Sequence, residues 1–486
     1  MQNRYRELTA ERFNRCCWAL TIGFLLLLLG VLIVFGYTPT NDGEGYIEYA
    51  QIAIADHQPY PTLHHIIGKP YIWNMGIINL VALSLGLTKS LYPLLVLFCI
   101  MKALTAWLLA HITAKLFNRQ TALLALILYI LYPNNWGQST MLSSEIPMLF
   151  FTMLAVFLSL SKLSTLNSPL SLNSKLSTLN SQLSLNCLST LNSQLSLNCL
   201  STQNSPLSLN SKLSTLNSQL SGALLALANW FRPVAAIFLL ALVVYFFLFR
   251  RGQWKKLTLY LLSGYAFVVL LIGTSCYLRT GYFLYQADSL WFNMAEATYE
   301  TDSQPHYNTE VFPEGTARFI DDMQHKTAIE CSHIWRERSL KWLSEHPVEY
   351  LKKVPARLYY IYQNDIDNLA AFLPTKTDAA KNYITLPLGS LRTQFSQLSA
   401  VQYFALLATI LYLLLLLLAL AGAIRLMLNG RWREAFLPVF IIVVASLALA
   451  LLIHGETRFK APFMPFLFML AASFLSKSTN IGNRQM

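Results

Sequence analysis

From Cys16 to Tyr37 the chain carries an apolar run of about 20 residues, and no other feature constrains the fold as much. A bilayer core offers no water to backbone N–H and C=O groups, so a segment of this kind crosses as a helix. Arg4, Arg6, Arg12 and Arg15 precede it. The run is longer than a signal-peptide core and has no small-residue cleavage site, so it reads as a retained transmembrane helix with its basic end in the cytoplasm. Its far end delivers Thr40-Asn41-Asp42-Gly43-Glu44-Gly45-Tyr46 to the opposite membrane surface, taken as periplasmic on the assumption of a bacterium. Carboxylates at such a place are expensive to keep and default to a functional hypothesis.

The rest of the chain demands the same solvent. With 55% hydrophobic and 12% charged residues, 486 residues cannot cover themselves with polar surface. The expected class is an all-α polytopic membrane protein. Lys and Arg outnumber Asp and Glu by 36 to 24, but most basic residues flank apolar spans. They read as a topology signal rather than a nucleic-acid surface. The cysteines form no CxxC pair, so neither a disulfide framework nor a metal knuckle is supported.

In chain order, residues 1–161 comprise N-terminal transmembrane helices and a first periplasmic loop, 41–90, rich in Pro, His, Tyr and Trp. Ile77 to Leu87 is too short to span and is expected along the interface. Tyr92 to Leu116 returns, Thr121 to Tyr132 goes out, and Met148 to Leu160 comes back after Ser144-Glu145-Ile146-Pro147. Residues 162–221 are tandem copies of a unit such as KLSTLNSPLSLNS, about 12 to 13 residues long, half the length of a leucine-rich repeat. They read as a cytoplasmic low-complexity insert, disordered or loosely solenoidal. Residues 222–278 then pose a topology problem. A single crossing from Gly222 to Phe249 would place the basic run from Arg250 to Lys256 outside. Arg232-Pro233 in mid-segment resolves it by breaking the segment into a half-membrane hairpin, with Leu257 to Leu278 crossing next. Residues 279–400 are expected to form a mostly helical periplasmic domain, clearest from Trp335 to Tyr362. Residues 401–486 supply the last spans, with a periplasmic turn from His454 to Lys460.

This parity gathers Asp42, Glu44, Glu145, Lys69, Arg458 and Lys460 on one face, with Arg232 approaching from within the membrane. The mixture suits group transfer from a lipid phosphate: a carboxylate takes the acceptor's proton while cations hold the departing phosphate. Each element also has a plainer reading. Asp42-Gly43-Glu44 fits a helix-capping turn, His64-His65 loop polarity, Glu145 helix N-terminal chemistry, Arg458 an interface anchor, and Tyr46 with Tyr49 an aromatic belt.

Four stretches resemble the GT-C superfamily of polytopic glycosyltransferases, in the branch similar to protein mannosyltransferases and the aminoarabinose transferase of lipid A. They are Asp42 to Ala50 (DGEGYIEYA), Leu131-Tyr132-Pro133 with Ser144 to Pro147, Gly222 to Pro233, and Glu456-Thr457-Arg458-Phe459 with Pro462 and Pro465. The resemblance implies a GT-C-like helix bundle, a polyprenyl-phosphate-linked sugar donor, and inverting transfer to a glycan, lipid or protein acceptor at the periplasmic face of the inner membrane. Asp42 then looks like the catalytic acid of the first loop, with Glu44 orienting it or a divalent cation. Arg458, Lys69 and Arg232 would bind the donor phosphate, and Glu145, Tyr46, His65 and Glu456 are candidate substrate contacts. Relatives place Asp and Glu side by side, whereas Gly43 separates them here, which leaves a metal requirement open. No WWDYG signature is present, which argues against en bloc transfer to asparagine. A lipid-linked-substrate transporter or flippase, and a surface-glycan polymerase or ligase, are the competing classes.

Overall fold

The computed structural model describes residues 8–67, 69–161, 206–299, 317–372 and 400–476. Most of the repeat, and about a third of the expected 279–400 domain, lie outside the described residues.

Helix α1, Ala10–Phe35, begins where the Thr9 hydroxyl accepts from the Arg12 N–H at 3.3 Å, and ends at Gly36 with a φ of 62°. It is followed by α2 (Asn41–Ala55), α3 (Met75–Thr88), α4 (Tyr92–Leu116), α5 (Arg119–Leu131) and α6 (Glu145–Ser159). Next come α7 (Pro206–Phe231), α8 (Ala236–Phe249), α9 (Trp254–Thr280), α10 (Leu290–Tyr299), α11 (Ala328–Glu345) and α12 (Pro347–Tyr362). The chain closes with α13 (Ala400–Leu428), α14 (Trp432–Leu452) and α15 (Met464–Leu475), and the described residues contain no β-strand. Among the described residues, six helices are long and apolar enough to cross a membrane; a seventh span results if the segments 134–140 and 145–159, bent by 117°, count as one. The outward faces confirm the solvent: α1 exposes Ile33 at 82% and α9 exposes Leu278 at 79%, an arrangement stable against lipid tails and not against water. The protein is an all-helical, multi-pass membrane protein.

Side chains tie the two ends of the bundle. At one end Arg119 donates to the Leu8 carbonyl and Arg425 to that of Phe474, both at 2.8 Å. At the other, Arg279 closes α9 onto the first loop through the Pro59 and Pro61 carbonyls at 2.6 and 3.1 Å. The second end carries the start of α2, the start of α6 and the break after α7. Helix α3 is short, as expected, but it packs into the core, with Ile77 and Ile78 fully buried.

One expectation needs revision. The helix before Arg232 does not begin at residue 222. α7 is 26 residues, about 39 Å at 1.5 Å per residue, because the last repeat copy continues into it. Only the return limb, the 14 residues of α8, is short. The repeat's Ser and Thr positions explain the recruitment: Thr215, Ser218 and Ser221 are 7%, 2% and 0% exposed, and the Ser221 hydroxyl donates to the Ala155 carbonyl at 2.9 Å. Trp335 to Tyr362 is helical, as expected, and it is divided between two helices. Pro347 has no N–H to donate and restricts His346, so α11 stops and α12 starts with proline in its first turn. The described part of the region after residue 279 has a core of its own and is also fixed to the bundle. Trp335 and Cys331 form a small core with Ala295 and Ile320, but Arg357 of α12 donates to the Ala450 carbonyl of α14 at 3.0 Å.

The seam between α7 and α9 is made by reciprocal glycines. A Cβ on Gly222 would lie 1.8 Å from the Leu261 carbonyl oxygen, and one on Gly264 would lie 1.9 Å from that of Gln219. Backbone meets backbone with nothing flexible to yield. Gly264→Ala therefore costs at the upper end of ~1–3 kcal/mol through forced separation of the helices. Thermal unfolding in detergent checks this; an unchanged midpoint would contradict the contact.

Candidate active site

The acidic turn after α1 is ordered as the first turn of α2. Thr40 caps it, accepting from the Gly43 N–H at 3.0 Å. The capping reading of the turn is therefore correct, and it coexists with a second role, because Asp42 points to a distant part of the chain. Its Oδ2 lies 2.5 Å from Arg458 Nη1, across 416 residues of sequence. Arg458 also places Nε 2.8 Å from Glu456 Oε2, so one guanidinium serves two carboxylates. Arg232 pairs with Glu145, and both are largely buried, at 15% and 12% side-chain exposure. The ring of Phe459 joins the two pairs, with the Arg232 and Arg458 guanidinium carbons 5.7 and 5.9 Å from its centroid.

Local packing sets these positions. Ser143 donates to Glu145 Oε2 at 2.8 Å, fixing the carboxylate at the start of α6. Asn74 donates to the Tyr46 hydroxyl at 3.2 Å, and burial followed by the nearby Asp42 charge holds that phenol neutral, above its usual range. The segment bearing Arg458, Thr457–Phe463, is nailed down from below. Lys460, fully buried, sits 3.1 Å from Asp365 Oδ1 and donates to the Asn364 and Thr457 carbonyls, each at 2.6 Å. Thr457 Oγ1 lies 2.6 Å from Asp367, whose carboxyl burial pushes above the ordinary range. Lys460, expected among the basic groups of the site face, is thus a structural anchor.

Asp42, Arg458, Glu456, Arg232, Glu145 and Tyr46 converge as the sequence suggests. Glu44, Lys69 and His65 do not join them. Glu44 accepts from the Tyr37 hydroxyl at 3.1 Å, on another side of α2 from Asp42. The intervening Gly43 has a physical reason: a Cβ there would come within 2.9 Å of Thr40 Oγ1 and 3.0 Å of the Tyr37 hydroxyl. The glycine that separates the two acids makes room for the cap. Lys69 lies 3.1 Å from Glu48 and 4.9 Å above the Tyr49 ring. His65 is fully buried and holds the first loop together. Its Nδ1 accepts from the Thr62 N–H at 3.1 Å, so its proton sits on Nε2 and is donated to the Tyr49 carbonyl at 3.0 Å.

Burial pushes the His65 pKa down to about 4 from an ordinary 6.5, and a group depressed on folding stabilises when deprotonated. The contribution is complete above pH 6.5 and is lost as pH falls toward 4. His65→Asn lowers the melting temperature at neutral pH, and the gap to wild type narrows on acidification. A gap that widens below neutrality would contradict the neutral, buried ring. Among the described residues, no group of three or more His, Cys, Asp or Glu side chains is arranged to hold a metal ion.

No family model matches this chain, and no curated protein matches it. Among solved structures, it is similar to the Archaeoglobus fulgidus oligosaccharyltransferase in its apo form, at 12% identity and a TM-score of 0.43. It is similar also to an archaeal oligosaccharyltransferase from Archaeoglobus fulgidus in complex with an inhibitory peptide and a dolichol-phosphate, at 12% identity and a TM-score of 0.44. Each match covers 94% of this chain and 50% of the other, so the chain spans about half the length of the structures it matches.

Proposed function

We propose that this protein is a membrane glycosyltransferase of the GT-C kind, moving a sugar from a polyprenyl-phosphate donor to a glycan, lipid or protein acceptor at the periplasmic face of a bacterial inner membrane. The observation that carries the reading is the pairing of Asp42 with Arg458 beside the Arg232–Glu145 pair, on a membrane-embedded bundle. Two guanidiniums about one aromatic ring suit the forked recognition of a phosphate. Each is paired with a carboxylate, so a donor phosphate binds by exchange. It takes Arg458 and Arg232, and Asp42 is released to act as base. The acceptor hydroxyl, or amine, then attacks the anomeric carbon from the side opposite the phosphate. Its proton passes to Asp42, the anomeric C–O bond breaks, and the phosphate leaves with the electron pair, stabilised by the arginines. Glu456 tethers Arg458 through this exchange, while Glu44 and Lys69 support the first loop from outside the reacting centre.

The direct test gives wild-type protein in sealed proteoliposomes a radiolabelled polyprenyl-phosphate sugar and a membrane extract. Label moving from donor to an extract component supports the reading. Label that crosses the membrane still attached to its polyprenyl chain would establish a flippase instead.

A further inference from the structure

We propose that α12 is a membrane-surface helix, bedded among the lipids of the leaflet on the site's side rather than standing in water as part of a soluble domain. Its two faces are reversed for a helix in contact with water. Tyr350, Lys353, Arg357 and Ile361, at helical spacing, are its buried face. Val348, Leu351 and Tyr359 are 65%, 58% and 54% exposed, and Pro355, also exposed, completes their stripe. Water selects the opposite arrangement, with the apolar side inward and lysine and arginine outward. Charge turned toward protein and leucine turned outward suit a helix whose outer neighbour is lipid. Both cations lie over aromatic rings of the protein, Lys353 at 5.3 Å over Trp342 and Arg357 at 4.4 Å over Tyr350.

The attachment of α12 to the transmembrane helix α14 gives its depth. The Tyr350 hydroxyl donates to the Leu451 carbonyl at 2.7 Å, Arg357 donates to the Ala450 carbonyl at 3.0 Å, and the Tyr362 hydroxyl lies 2.6 Å from that of Ser446. These partners run in order from the last turn of α14 inward. Helix α12 thus descends about 7.5 Å along α14 while advancing about 18 Å along its own axis, a shallow slope that starts at the end of a membrane span and runs below it. At the same level α14 itself exposes Leu447, Leu451 and Leu452, so the lipid-facing surface of the bundle extends to where α12 lies. Two details hold the helix at the interface and out of the hydrocarbon centre. Pro355 has no N–H, so the Leu351 carbonyl lacks its helical donor and needs water or a lipid headgroup. Glu349 and Lys352 flank the stripe, exposed, with stems long enough to carry their charges to the headgroups.

The lipid seat bears on the site because the chain leaves α12 directly for Asp365 and Asp367, which hold Lys460 and Thr457 beneath Arg458. The height of α12 in the leaflet is then the height at which Arg458 meets a membrane-borne phosphate. That last link rests on the function proposed above; the lipid seat does not. The experiment places the photoreactive residue benzoylphenylalanine at position 348, 351 or 359 of the full chain, reconstituted in phosphatidylethanolamine–phosphatidylglycerol vesicles with acyl-chain-tritiated phosphatidylethanolamine. Position 270, on the lipid-facing side of α9, is the positive control, and position 321, an exposed aspartate before α11, is the aqueous one. Illumination transfers tritium to the protein at 348, 351 and 359 several-fold more than at 321, approaching the yield at 270, in variants that melt like the wild type. A stripe position labelled no more than 321 overturns the proposal in favour of water, and cross-linked dimers in place of lipid adducts overturn it in favour of a second copy of the chain. Labelling needs no substrate, so a protein that takes lipid adducts along the stripe and transfers no sugar would remove the proposed function and leave the lipid seat standing.

Discussion

Asn in place of Asp42 lowers sugar transfer by roughly 10²–10⁴-fold, the usual contribution of a positioned general base. The substitution keeps the shape of the side chain and its place in the first turn of α2, and removes only the charge and the ability to accept a proton. Asp42 is partly exposed, at 35%, so its ion pair adds little to stability and the variant folds normally. The kinetic signature separates this from a binding defect. Asp42 competes with the donor phosphate for Arg458, so its neutralisation leaves donor affinity unchanged or tighter, and the loss falls on kcat with no rise in KM. Transfer that survives Asp42→Asn within a few-fold would exclude Asp42 as the base and shift attention to Glu456.

Removal of Arg232 has a different kind of consequence. Arg232→Met fits the hydrophobic surroundings but leaves Glu145 largely buried and without its guanidinium, a loss of about 3–5 kcal/mol. Ser143 still donates to that carboxylate, but a hydroxyl does not neutralise it. Adding Glu145→Gln to Arg232→Met restores most of the stability while leaving donor binding impaired, because the phosphate partner is still missing. Melting temperature and polyprenyl-phosphate binding, measured on both variants, check the two halves of the statement. An Arg232→Met protein that melts like the wild type would mean the pair is solvated rather than buried.

Much of this arrangement could be read in advance because membranes simplify the problem. Hydropathy gives spans, basic flanks give sides, and parity then carries Asp42, Glu145 and Arg458 to one end of the bundle, where Arg458 meets Asp42 and Glu145 meets Arg232. What could not be read was the division of labour among like residues. Lys460 and Arg458 stand two positions apart in one turn, yet one is buried beneath the site and the other faces it. His65 and His454 look equally unremarkable in sequence; one is a neutral strut and the other sits between two acids, Glu296 and Glu456. Each outcome depends on tertiary partners such as Asp365, Tyr49 and Glu296, which no local pattern announces. One signal was available: His454, Glu456, Arg458 and Lys460 put a charged or titratable group at every second position of an otherwise apolar stretch. Polar residues kept so densely between two apolar spans need partners. The start of α7 was hidden for the opposite reason. Ser, Asn and Leu in a low-complexity unit suggest no structure until a glycine seam and a neighbouring helix provide a surface on which Thr215, Ser218 and Ser221 pack.

That last repeat copy gives the protein a reading frame of an unusual sort. Because it is wound into the same helix that ends just before Arg232, its anchors fix the angular phase of the residues that follow: Ser221 is held on the Ala155 carbonyl and Gly222 against Leu261. An insertion of about 13 residues between these anchors and Arg232 would advance the helix by about 20 Å and turn its far end by roughly 220°. Arg232 would be carried out of reach of Glu145. Copies added ahead of Ser221 leave that distance unchanged. Here the end of the terminal copy behaves as a gauge, and insertions or deletions between it and Arg232 disturb the site as surely as substitutions in the site itself.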